Sequence, residues 1–473
     1  MAYEGYKMIV TSTIWQPHLP ISGKSKYKAL AQAIRDGIAA GHLVPGMKLP
    51  PVRDLAFRVK VTPGTVARAY TLLTEEGRLR AEVGRGTFVA AGRAAKTERV
   101  TPLVNLPVDA VADFRSSRVP DVGQGQIIDA ALIKQGESHR RRHINYPTAE
   151  TDFEARAAVA SWVDQARSGG VEPESIVLGN GAQNCCILAL QAELSGQHPI
   201  IMTEELGYPG TRHAARLLRA QTVGLPMDDE GILPEFFRQA CRDHGGRILL
   251  TAAEVHSPTT IRTSLARKQE LAQIARQLDI TIIEDDCHTT ASSDIPSYRS
   301  ILPDQSYLVS SLTKSVSGAL RFGYAIAPVG REKELRQVAQ SSFYGVAQPI
   351  LDLCHELITS GAAFEIRDRV IAETARRARL AVNALGAWDL RWREDAPFVY
   401  LNMPQGWRAS GFAMACEKRD ILIKPADEFA LPNCNAPNAV RLAINTCASD
   451  VLFLKAMSDL NHLLANPESL IDG

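Results

Sequence analysis

A lysine between two apolar runs is the residue of this chain best placed for covalent chemistry. The stretch from Tyr307 to Ala327, YLVSSLTKSVSGALRFGYAIA, puts Lys314 after one strand-like run and before another. A lysine beside runs that look buried must have its charge paired or discharged, and an uncharged amine is a nucleophile toward a carbonyl group. Ser311, three residues earlier, and Arg321, seven residues later, could hold a phosphate. A solvated lysine in an ordinary loop is the alternative, and this stretch alone leaves both open.

A glycine-rich turn offers a second phosphate-binding pattern. In LGNGAQNC, an apolar strand runs into Gly181, Ala182 and Gln183 before a helical stretch begins. Backbone N–H groups at the start of a helix bind a phosphate well when no side chain obstructs them. Turns of this kind are common, so the pattern gains its weight from Ser311 and Arg321, which would complete the phosphate cup.

Residues 113–473 resemble the fold-type-I aminotransferase group of pyridoxal-phosphate (PLP) proteins. The resemblance rests on the S-x-x-K…R setting of Lys314 and on the motifs LGNGAQNC, EELGYPG, TIIEDDCH and NAVRLAINT. It implies PLP bound covalently through Lys314, with Ser311, Arg321 and the glycine-rich turn around its phosphate. It also implies that Tyr208 of EELGYPG stacks on the pyridine ring, although a partly buried loop tyrosine is the plainer interpretation of that residue.

Asp285 is the carboxylate that the resemblance places beside the pyridine nitrogen. It closes the strand in TIIEDDCH, and a buried carboxylate there keeps the nitrogen protonated, which makes the ring an electron sink. Of the three adjacent acids Asp285 fits the family's register best, and we expect Glu284 and Asp286 to be solvated or structural. Lys314 and Asp285 are therefore the two expected catalytic residues.

The resemblance assigns two further residues. Arg441 in NAVRLAINT matches the arginine that takes the α-carboxylate of an amino-acid substrate, and its planar fork suits a bidentate carboxylate contact. A strand-end salt bridge is the alternative for Arg441. Tyr146 in INYPTAE resembles the tyrosine that reaches the cofactor phosphate across a dimer interface, which implies a homodimer.

The sequence departs from the family pattern at two positions near the cofactor's phenolic oxygen. Cys287 stands where the family usually has a tyrosine, and Ser257 in HSPTT stands where it has the asparagine of N-P-T-G. A thiol and a short hydroxyl are weaker or shorter partners for that oxygen, so they should perturb the proton affinity of the bound cofactor. These two changes are compatible with cofactor binding, but they argue against efficient transamination.

The elements that must position these residues form an α/β fold. Seven short apolar runs alternate with helical stretches from about residue 175, namely SIVL, PIIM, TVGL, RILLTA, TIIEDD, YLVSS and GYAIA. Runs that are apolar at consecutive positions indicate strands buried on both faces, hence a mainly parallel sheet with helices on each side. Ligands of such sheets lie on the loops beyond the strand ends. We expect a large part at about 150–345 and a smaller α+β part mainly at 346–473.

The first 90 residues carry a different pattern and a different charge. They hold 13 Lys/Arg against 6 Asp/Glu, whereas the whole chain is at +1, so the remainder carries −6. A basic head on a mildly acidic body indicates a nucleic-acid contact. Apolar positions at helical spacing predict three helices, the third with Thr62 as its N-cap and Pro63 at its first position. Gly84-Arg85-Gly86 predicts a tight turn between two strands, which completes the order of a winged helix-turn-helix.

Residues 27–90 are similar to the DNA-binding domain of the GntR family. The resemblance implies that the third helix enters the major groove, with Thr65 and Arg68 toward bases or phosphates. It places Arg53 near a phosphate and lets Arg85, at the wing tip, reach the minor groove. Each of these residues taken alone is more often a solvated surface group; as a set on this scaffold they indicate contacts with double-stranded DNA.

The remaining features of the sequence concern the cellular compartment and the domain boundaries. We expect a flexible arm at residues 1–26 and an interdomain linker at 91–112, which is rich in Ala, Pro and charge without periodicity. The eight cysteines are scattered without metal-ligand spacing, which indicates free thiols in a reducing cytoplasm and predicts no metal site. No apolar run approaches the length of a membrane span, and the N-terminus lacks a signal pattern.

A GntR-type head fused to an aminotransferase-like body is the pattern of the MocR-type transcription regulators, which this chain resembles end to end. The first hypothesis is a regulator that binds PLP on Lys314, senses an amine or amino acid as an aldimine, and shifts its DNA-binding heads. The second is an amino-acid aminotransferase whose head is incidental or autoregulatory. The third is a remnant without cofactor that only dimerises. The head and the two weakened cofactor contacts favour the first, and the retained Lys314, Asp285, Arg321 and Arg441 argue against the third.

Overall fold

The computed structural model describes residues 26–39, 42–44, 46–75, 78–82, 86–89, 111–137, 144–432, 434–446 and 449–467. These residues divide into two compact units, one within residues 1–102 and one within residues 103–473, called here the head and the body. Arg85, residues 1–25 of the expected arm and residues 91–110 of the expected linker lie outside the described residues. None of the described helices is long and apolar enough to cross a membrane.

The head consists of three helices and a hairpin, as the sequence predicts. Its elements in chain order are α1 (Lys26–Ala39), α2 (Val52–Arg58), α3 (Pro63–Glu75), β1 (Leu79–Glu82) and β2 (Gly86–Val89). The apolar faces of the three helices close one core, in which Leu30, Leu55, Val66 and Leu73 are fully buried. Because β1 and β2 pair antiparallel beside this core, the unit has the architecture of a winged helix-turn-helix.

The body alternates strands and helices along the chain. Its first elements are β3 (Ala112–Asp113), α4 (Gln124–Glu137), α5 (Phe153–Trp162), α6 (Gln165–Ser168), β4 (Ile176–Gly179), α7 (Ala182–Glu193), β5 (Ile200–Glu204), α8 (Pro209–Leu217), β6 (Gln221–Leu225), β7 (Met227–Asp228) and β8 (Gly231–Ile232). They are followed by α9 (Pro234–His244), β9 (Ile248–Thr251), α10 (Leu265–Leu278), β10 (Thr281–Asp285), α11 (Tyr298–Ile301), β11 (Ser306–Ser311), β12 (Gly323–Ile326) and α12 (Glu332–Phe343). The last elements are α13 (Gln348–Thr359), α14 (Ala362–Leu385), β13 (Leu390–Arg391), β14 (Phe398–Asn402), α15 (Ala409–Glu417), β15 (Ile421–Leu422), β16 (Lys424–Pro425), β17 (Ala439–Ala443) and α16 (Asp450–Ala465).

A seven-stranded sheet lies at the centre of the body, in the order β4-β12-β11-β10-β9-β5-β6. The pairs among β6, β5, β9, β10 and β11 are parallel, and β12 is antiparallel to both of its neighbours. The seven predicted apolar runs are these seven strands. Strands β4, β9, β11 and β12 are buried along their whole length, which explains why the runs are apolar at consecutive positions.

Helices cover both faces of this sheet. One face packs on α5, α13 and α14 and carries Leu308 and Tyr324. The other face packs on α7 and α12 and carries Val309 and Ala325. Successive side chains of a strand point to opposite faces, so neighbouring residues of β11 and β12 belong to different cores.

The C-terminal region forms a second sheet, in the order β13-β14-β17-β16, that packs on α14, α15 and α16. The first described strand of the body belongs to this region, because β3 pairs in parallel with β15 and places Ala112 opposite Ile421. Phe114 is fully buried in the same core. Residues 115–117, which come next, are thereby held against the C-terminal sheet.

Buried charges tie the end of β10 to its surroundings. Arg167, in the α6 turn, donates to both carboxylate oxygens of Asp286 at 2.6 and 2.8 Å. Lys268 of α10 lies 3.1 Å from Glu284, and both side chains are 0% exposed. The second oxygen of Glu284 accepts the backbone N–H of Tyr298 at 2.7 Å. Glu284 and Asp286 are thus structural, as the sequence allowed, and neither is solvated.

We expect the substitution Arg167→Met to destabilise the body by about 3–5 kcal/mol, because it leaves the buried Asp286 without its cation. Urea unfolding of the full chain, followed by circular dichroism, measures this loss. The matched control is Arg376→Met, since Arg376 pairs with Glu373 and Asp450 at the surface, where such pairs contribute about 0–1 kcal/mol. Equal losses in the two variants would contradict the structural role of Arg167.

Candidate functional site

Lys314 lies in the connection between β11 and β12, at the carboxyl edge of the central sheet. Its side chain is half-buried, and Nζ donates to the carbonyl oxygen of Ser117. Burial lowers the pKa of Lys314 to about 8, and the nearby charges of Arg441 and Arg321 act in the same direction. Because the neutral amine is the nucleophile, this environment makes Lys314 reactive close to neutral pH.

Asp285 ends β10 on the same side of the sheet as Lys314. One of its carboxylate oxygens accepts the backbone N–H of Cys287 at 3.2 Å. Burial raises the pKa of Asp285, and the positive charge of Lys314 lowers it. Tyr208 precedes α8, and burial raises the pKa of its hydroxyl, as do Cys287 and Asp285 nearby. The structure therefore brings Lys314, Asp285, Cys287 and Tyr208 together.

The predicted phosphate cup forms where α7 begins. Gly181 immediately precedes α7 with φ +86°, and a β-carbon there would lie 2.9 Å from Cζ of Arg321. A β-carbon on Gly323 would likewise lie 2.7 Å from Cα of Gly181. The missing side chains thus let Arg321 and β12 contact the turn, and Arg321 donates to the carbonyl of Asn180 at 3.1 Å.

The other predicted members of the phosphate cup lie at the end of β11 and at the start of α7. The N–H groups of Ala182 and Gln183 belong to the first turn of α7, which has no acceptors within the helix. The side chain of Gln183 is engaged elsewhere, since it donates to the carbonyl of Gly210 at 3.0 Å. Ser311 closes β11, and its hydroxyl accepts the N–H of Thr313 at 3.3 Å.

Arg441 projects from β17 and is buried. It donates to the hydroxyl of Ser257 at 3.2 Å and to the carbonyl of Arg115. Its guanidinium lies 4.7 Å from the ring centre of Phe429 and 5.4 Å from that of Phe398. Burial lowers the pKa of Arg441 to about 10, and its Nε has no hydrogen-bond partner among the described residues. The guanidinium is fixed by its neighbours, and its positive charge suits an anionic ligand.

Tyr146 lies apart from this cluster. Its side chain is 77% exposed, and its ring stacks on Tyr344 with centroids 5.5 Å apart. Within one chain, the structure does not bring it together with Lys314.

Sequence reasoning missed two kinds of contact in the site. The carbonyl oxygens of Arg115 and Ser117 accept from Arg441 and Lys314, and main-chain acceptors leave no residue-type signal. His288 was also missed, although it follows Cys287 directly in the chain. Its Nδ1 lies 3.6 Å from the sulfur of Cys287, and burial together with the charges of Lys314 and Arg441 lowers its pKa well below the ordinary range. His288 is therefore a neutral imidazole at the edge of the site.

The candidate DNA-contacting residues of the head lie on α2 and α3. Arg53 is exposed in the first turn of α2. The hydroxyl of Thr65 lies 2.9 Å from that of Thr62, which also accepts the N–H of Thr65 and so caps α3. Arg68 is exposed, with its guanidinium 4.4 Å from the ring centre of Tyr27. Thr65 and Arg68 thus have partners within the head, while Arg85 lies outside the described residues.

Two family models match the chain in adjoining segments. Residues 26–89 match the gntR family of bacterial regulatory proteins, and residues 114–451 match aminotransferase class I and II. The matched segments correspond to the head and the body.

The curated relatives of this chain include HTH-type transcriptional regulators. A Bacillus subtilis protein, the uncharacterized HTH-type transcriptional regulator YdeF, is 26% identical over 457 residues, 95% of each chain. The HTH-type pyridoxine biosynthesis transcriptional regulator PdxR of Corynebacterium glutamicum is 26% identical over 67% of this chain and 69% of its own. The probable rhizopine catabolism regulatory protein MocR of Rhizobium meliloti is 24% identical over 64% of this chain and 65% of its own.

Solved structures with a similar fold include aminotransferases. The α-aminoadipate aminotransferase LysN of Thermus thermophilus superposes with a TM-score of 0.66 at 20% identity, covering 76% of this chain and 94% of its own. The kynurenine aminotransferase of Pyrococcus horikoshii gives a TM-score of 0.67 at 16% identity, covering 75% and 91%. The chain belongs to the aminotransferase class I and II family, and its head matches the gntR family of bacterial regulatory proteins.

Proposed function

We propose that this protein is a PLP-dependent DNA-binding regulator that senses an amine or amino acid at Lys314. The observation that carries the proposal is a lysine of lowered pKa, beside a buried arginine, in a chain that also holds a winged helix-turn-helix. The first of these groups suits a carbonyl-bearing cofactor and the second suits a carboxylate ligand.

The described residues fit PLP as the cofactor. Gly181, without a side chain, and Arg321 against it form a cradle suited to a phosphate at the start of α7. Burial raises the pKa of Asp285, and its carboxylate accepts the backbone N–H of Cys287, so a protonated ring nitrogen would give this carboxylate a matching cation. Lys314, Asp285 and Tyr208 would hold the cofactor, with Ser311, Arg321 and the amides of Ala182 and Gln183 at its phosphate.

Each side chain has a separate task in this proposal. Bound PLP supplies an electrophilic carbonyl carbon and an electron-withdrawing ring. Lys314 would hold the cofactor covalently through its neutral amine, and Asp285 would keep the ring nitrogen protonated. Arg441 orients a ligand through its carboxylate, because its guanidinium is fixed between two aromatic rings.

An amino-acid aminotransferase is the second candidate function, and Lys314, Asp285 and Arg441 favour it. Two contacts weigh against rapid turnover. Burial raises the pKa of Cys287 well above the ordinary range, so it stays a protonated thiol, which is a weak hydrogen-bond donor. Ser257 accepts a hydrogen bond from Arg441 at 3.2 Å, and its side chain is shorter than the asparagine of the family pattern. Proton transfer depends on accurate positioning, so we expect binding to outpace conversion.

The proposal includes a homodimer in a reducing cytoplasm. The exposed Tyr146 supports the dimer, since a partner copy could receive this ring at its own site. The seven described cysteines are free thiols, which supports a reducing compartment.

The first prediction concerns covalent attachment at Lys314. PLP added to cofactor-free protein and trapped with borohydride should label Lys314, at a rate that rises with pH around a midpoint near 8, because that pKa sets the fraction of neutral amine. Peptide mass spectrometry locates and quantifies the label. Lys333→Ala, at an exposed position of α12, should leave labelling unchanged. A midpoint near 10.5, or equal labelling of Lys314→Ala, would refute the assignment.

The second prediction concerns DNA. Arg68→Ala should weaken binding to the cognate duplex by ~1–3 kcal/mol if Arg68 reads a base. Fluorescence anisotropy on cognate and scrambled duplexes measures this loss. Tyr27→Leu is the matched control, because it removes the ring under Arg68 but keeps the guanidinium, and it should cost less. Equal losses on both duplexes would make Arg68 a phosphate contact, and wild-type protein that binds no DNA at low salt would overturn the regulator proposal.

The third prediction separates sensor from enzyme. A suitable amino acid should shift the visible absorbance of the PLP-loaded protein quickly and change its DNA affinity, while keto acid appears slowly or not at all. Arg441→Ala should abolish the shift with alanine but keep it with ethylamine, which lacks the carboxylate, and Arg441→Lys should retain part of the alanine response. Rapid multiple turnovers with any pair of amino acid and keto acid would instead place the protein among the enzymes.

A further inference from the structure

Residues 426–431 form a short loop in the C-terminal region of the body, and we call it the anchor loop. The N–H of Gly207 donates to the carbonyl of Phe429, and the N–H of Leu431 donates to the carbonyl of Glu205, both at 2.9 Å. These two bonds pair the anchor loop with the segment between β5 and α8. The C-terminal region and the central sheet are therefore connected here through their backbones.

The anchor loop carries two groups that act on Arg441. The buried ring of Phe429 has its centre 4.7 Å from the guanidinium of Arg441. Burial lowers the pKa of Arg441, and the negative charge of Glu428 raises it, which helps to keep the guanidinium charged. A planar guanidinium that stacks on a ring directs its N–H groups along the plane of that contact. The direction in which Arg441 presents its donors therefore depends on where the anchor loop is held.

Arg212, on helix α8, holds the anchor loop through two carbonyl groups. Its guanidinium donates to the carbonyl of Glu428 at 2.6 Å and to that of Ala430 at 2.8 Å. These two carbonyls flank Phe429 in the chain, so one side chain fixes the backbone on both sides of the ring. Hydrogen bonds from a charged donor are stronger than neutral ones, and the rigid fork of an arginine makes a pair of them directional.

The helix that carries Arg212 also follows directly on Tyr208. Tyr208 immediately precedes α8, and Arg212 lies four residues later, about one turn into the helix. The start of α8 is in turn tied to α7, because Gln183 donates to the carbonyl of Gly210 at 3.0 Å. Arg212 therefore links the side of the site where Tyr208 lies to the side where Arg441 lies.

We propose that Arg212 is a positioning residue, which holds the anchor loop so that Arg441 meets the carboxylate of an amino-acid ligand. This inference rests on the function proposed above, in which Arg441 binds that carboxylate. Arg212 acts through the backbone of the anchor loop and the ring of Phe429, and it does not contact the ligand. Ser257 and the carbonyl of Arg115 also hold Arg441, so loss of Arg212 weakens carboxylate recognition without abolishing it.

Alanine and ethylamine, titrated into PLP-loaded protein and followed by visible absorbance, test this role. Arg212→Gln should raise the half-saturating concentration of alanine about tenfold, because it removes two hydrogen bonds from a charged donor. The titration with ethylamine, which lacks the carboxylate, should stay unchanged, whereas a general loss of structure would alter both. Arg212→Lys should keep part of the effect, since an ammonium group is a single point donor. The matched control is Arg216→Gln, at an exposed position one turn further along α8, which should change neither titration.

The substitution Phe429→Leu tests whether Arg212 acts through the ring of Phe429. It removes the aromatic face beside Arg441 but keeps an apolar side chain, and it too should weaken the response to alanine and spare that to ethylamine. Residues that act through one contact have non-additive effects. The variant that combines Arg212→Gln with Phe429→Leu should therefore lose less affinity for alanine than the product of the two single losses.

Phenylglyoxal, a reagent for guanidinium groups, tests the position of Arg441 without any amine ligand. Arg441 is 5% exposed, so peptide mass spectrometry should find it labelled severalfold faster in Arg212→Gln than in the wild type or in Arg216→Gln. A wild type that responds to neither amine would refute the proposed sensor function, and the labelling rates would still decide the role of Arg212. The inference is overturned by unchanged labelling of Arg441 in Arg212→Gln, by equal losses with alanine and ethylamine, or by equal effects of Arg212→Gln and Arg216→Gln.

Discussion

The ion pair between Arg167 and Asp286 fixes the end of β10, and the geometry of the site depends on it. Side chains alternate along a strand, so anchoring Asp286 on one side directs Asp285 to the other, toward Lys314. The Lys268–Glu284 pair anchors the preceding position in the same way. Two paired, structural acids therefore flank Asp285, the acid to which we assign the cofactor, and the three adjacent carboxyl groups differ in their surroundings.

Burial of cations is the second constraint on the site. Lys314 and Arg441 both have lowered pKa values, mainly because each has left water, and the charge of Arg441 lowers the pKa of Lys314 further. Holding two positive groups close together in a partly dry site costs free energy until an anion arrives. This arrangement lowers the stability of the body, and a carboxylate ligand would offset that loss on binding.

Much of the fold was readable from the sequence because its signals are local. The seven apolar runs became the seven strands, and Thr62 and Pro63 marked the start of α3. The strand order, the pairing of Ala112 with Ile421 and the partner of Asp286 depend on contacts between distant residues, which one sequence does not reveal. The motifs placed Lys314, Asp285, Tyr208 and Arg441 in one site, whereas the carbonyl contacts of Arg115 and Ser117 have no motif. The stacking of Arg68 on Tyr27 likewise depends on the packing of α3 against α1, which the sequence does not reveal.

The protonation of Cys287 and Lys314 gives the site a chemical selectivity. Burial and the neighbouring Asp285 raise the pKa of the Cys287 thiol, while burial lowers that of the Lys314 amine to about 8. Peroxides and alkylating agents react with thiolates, which are scarce here, and carbonyl compounds react with neutral amines, whose fraction the lowered pKa of Lys314 increases. The site would therefore select among electrophiles by their reactivity as well as by their shape. Aldehydes would react with the amine of Lys314, whereas oxidants would find little thiolate at Cys287.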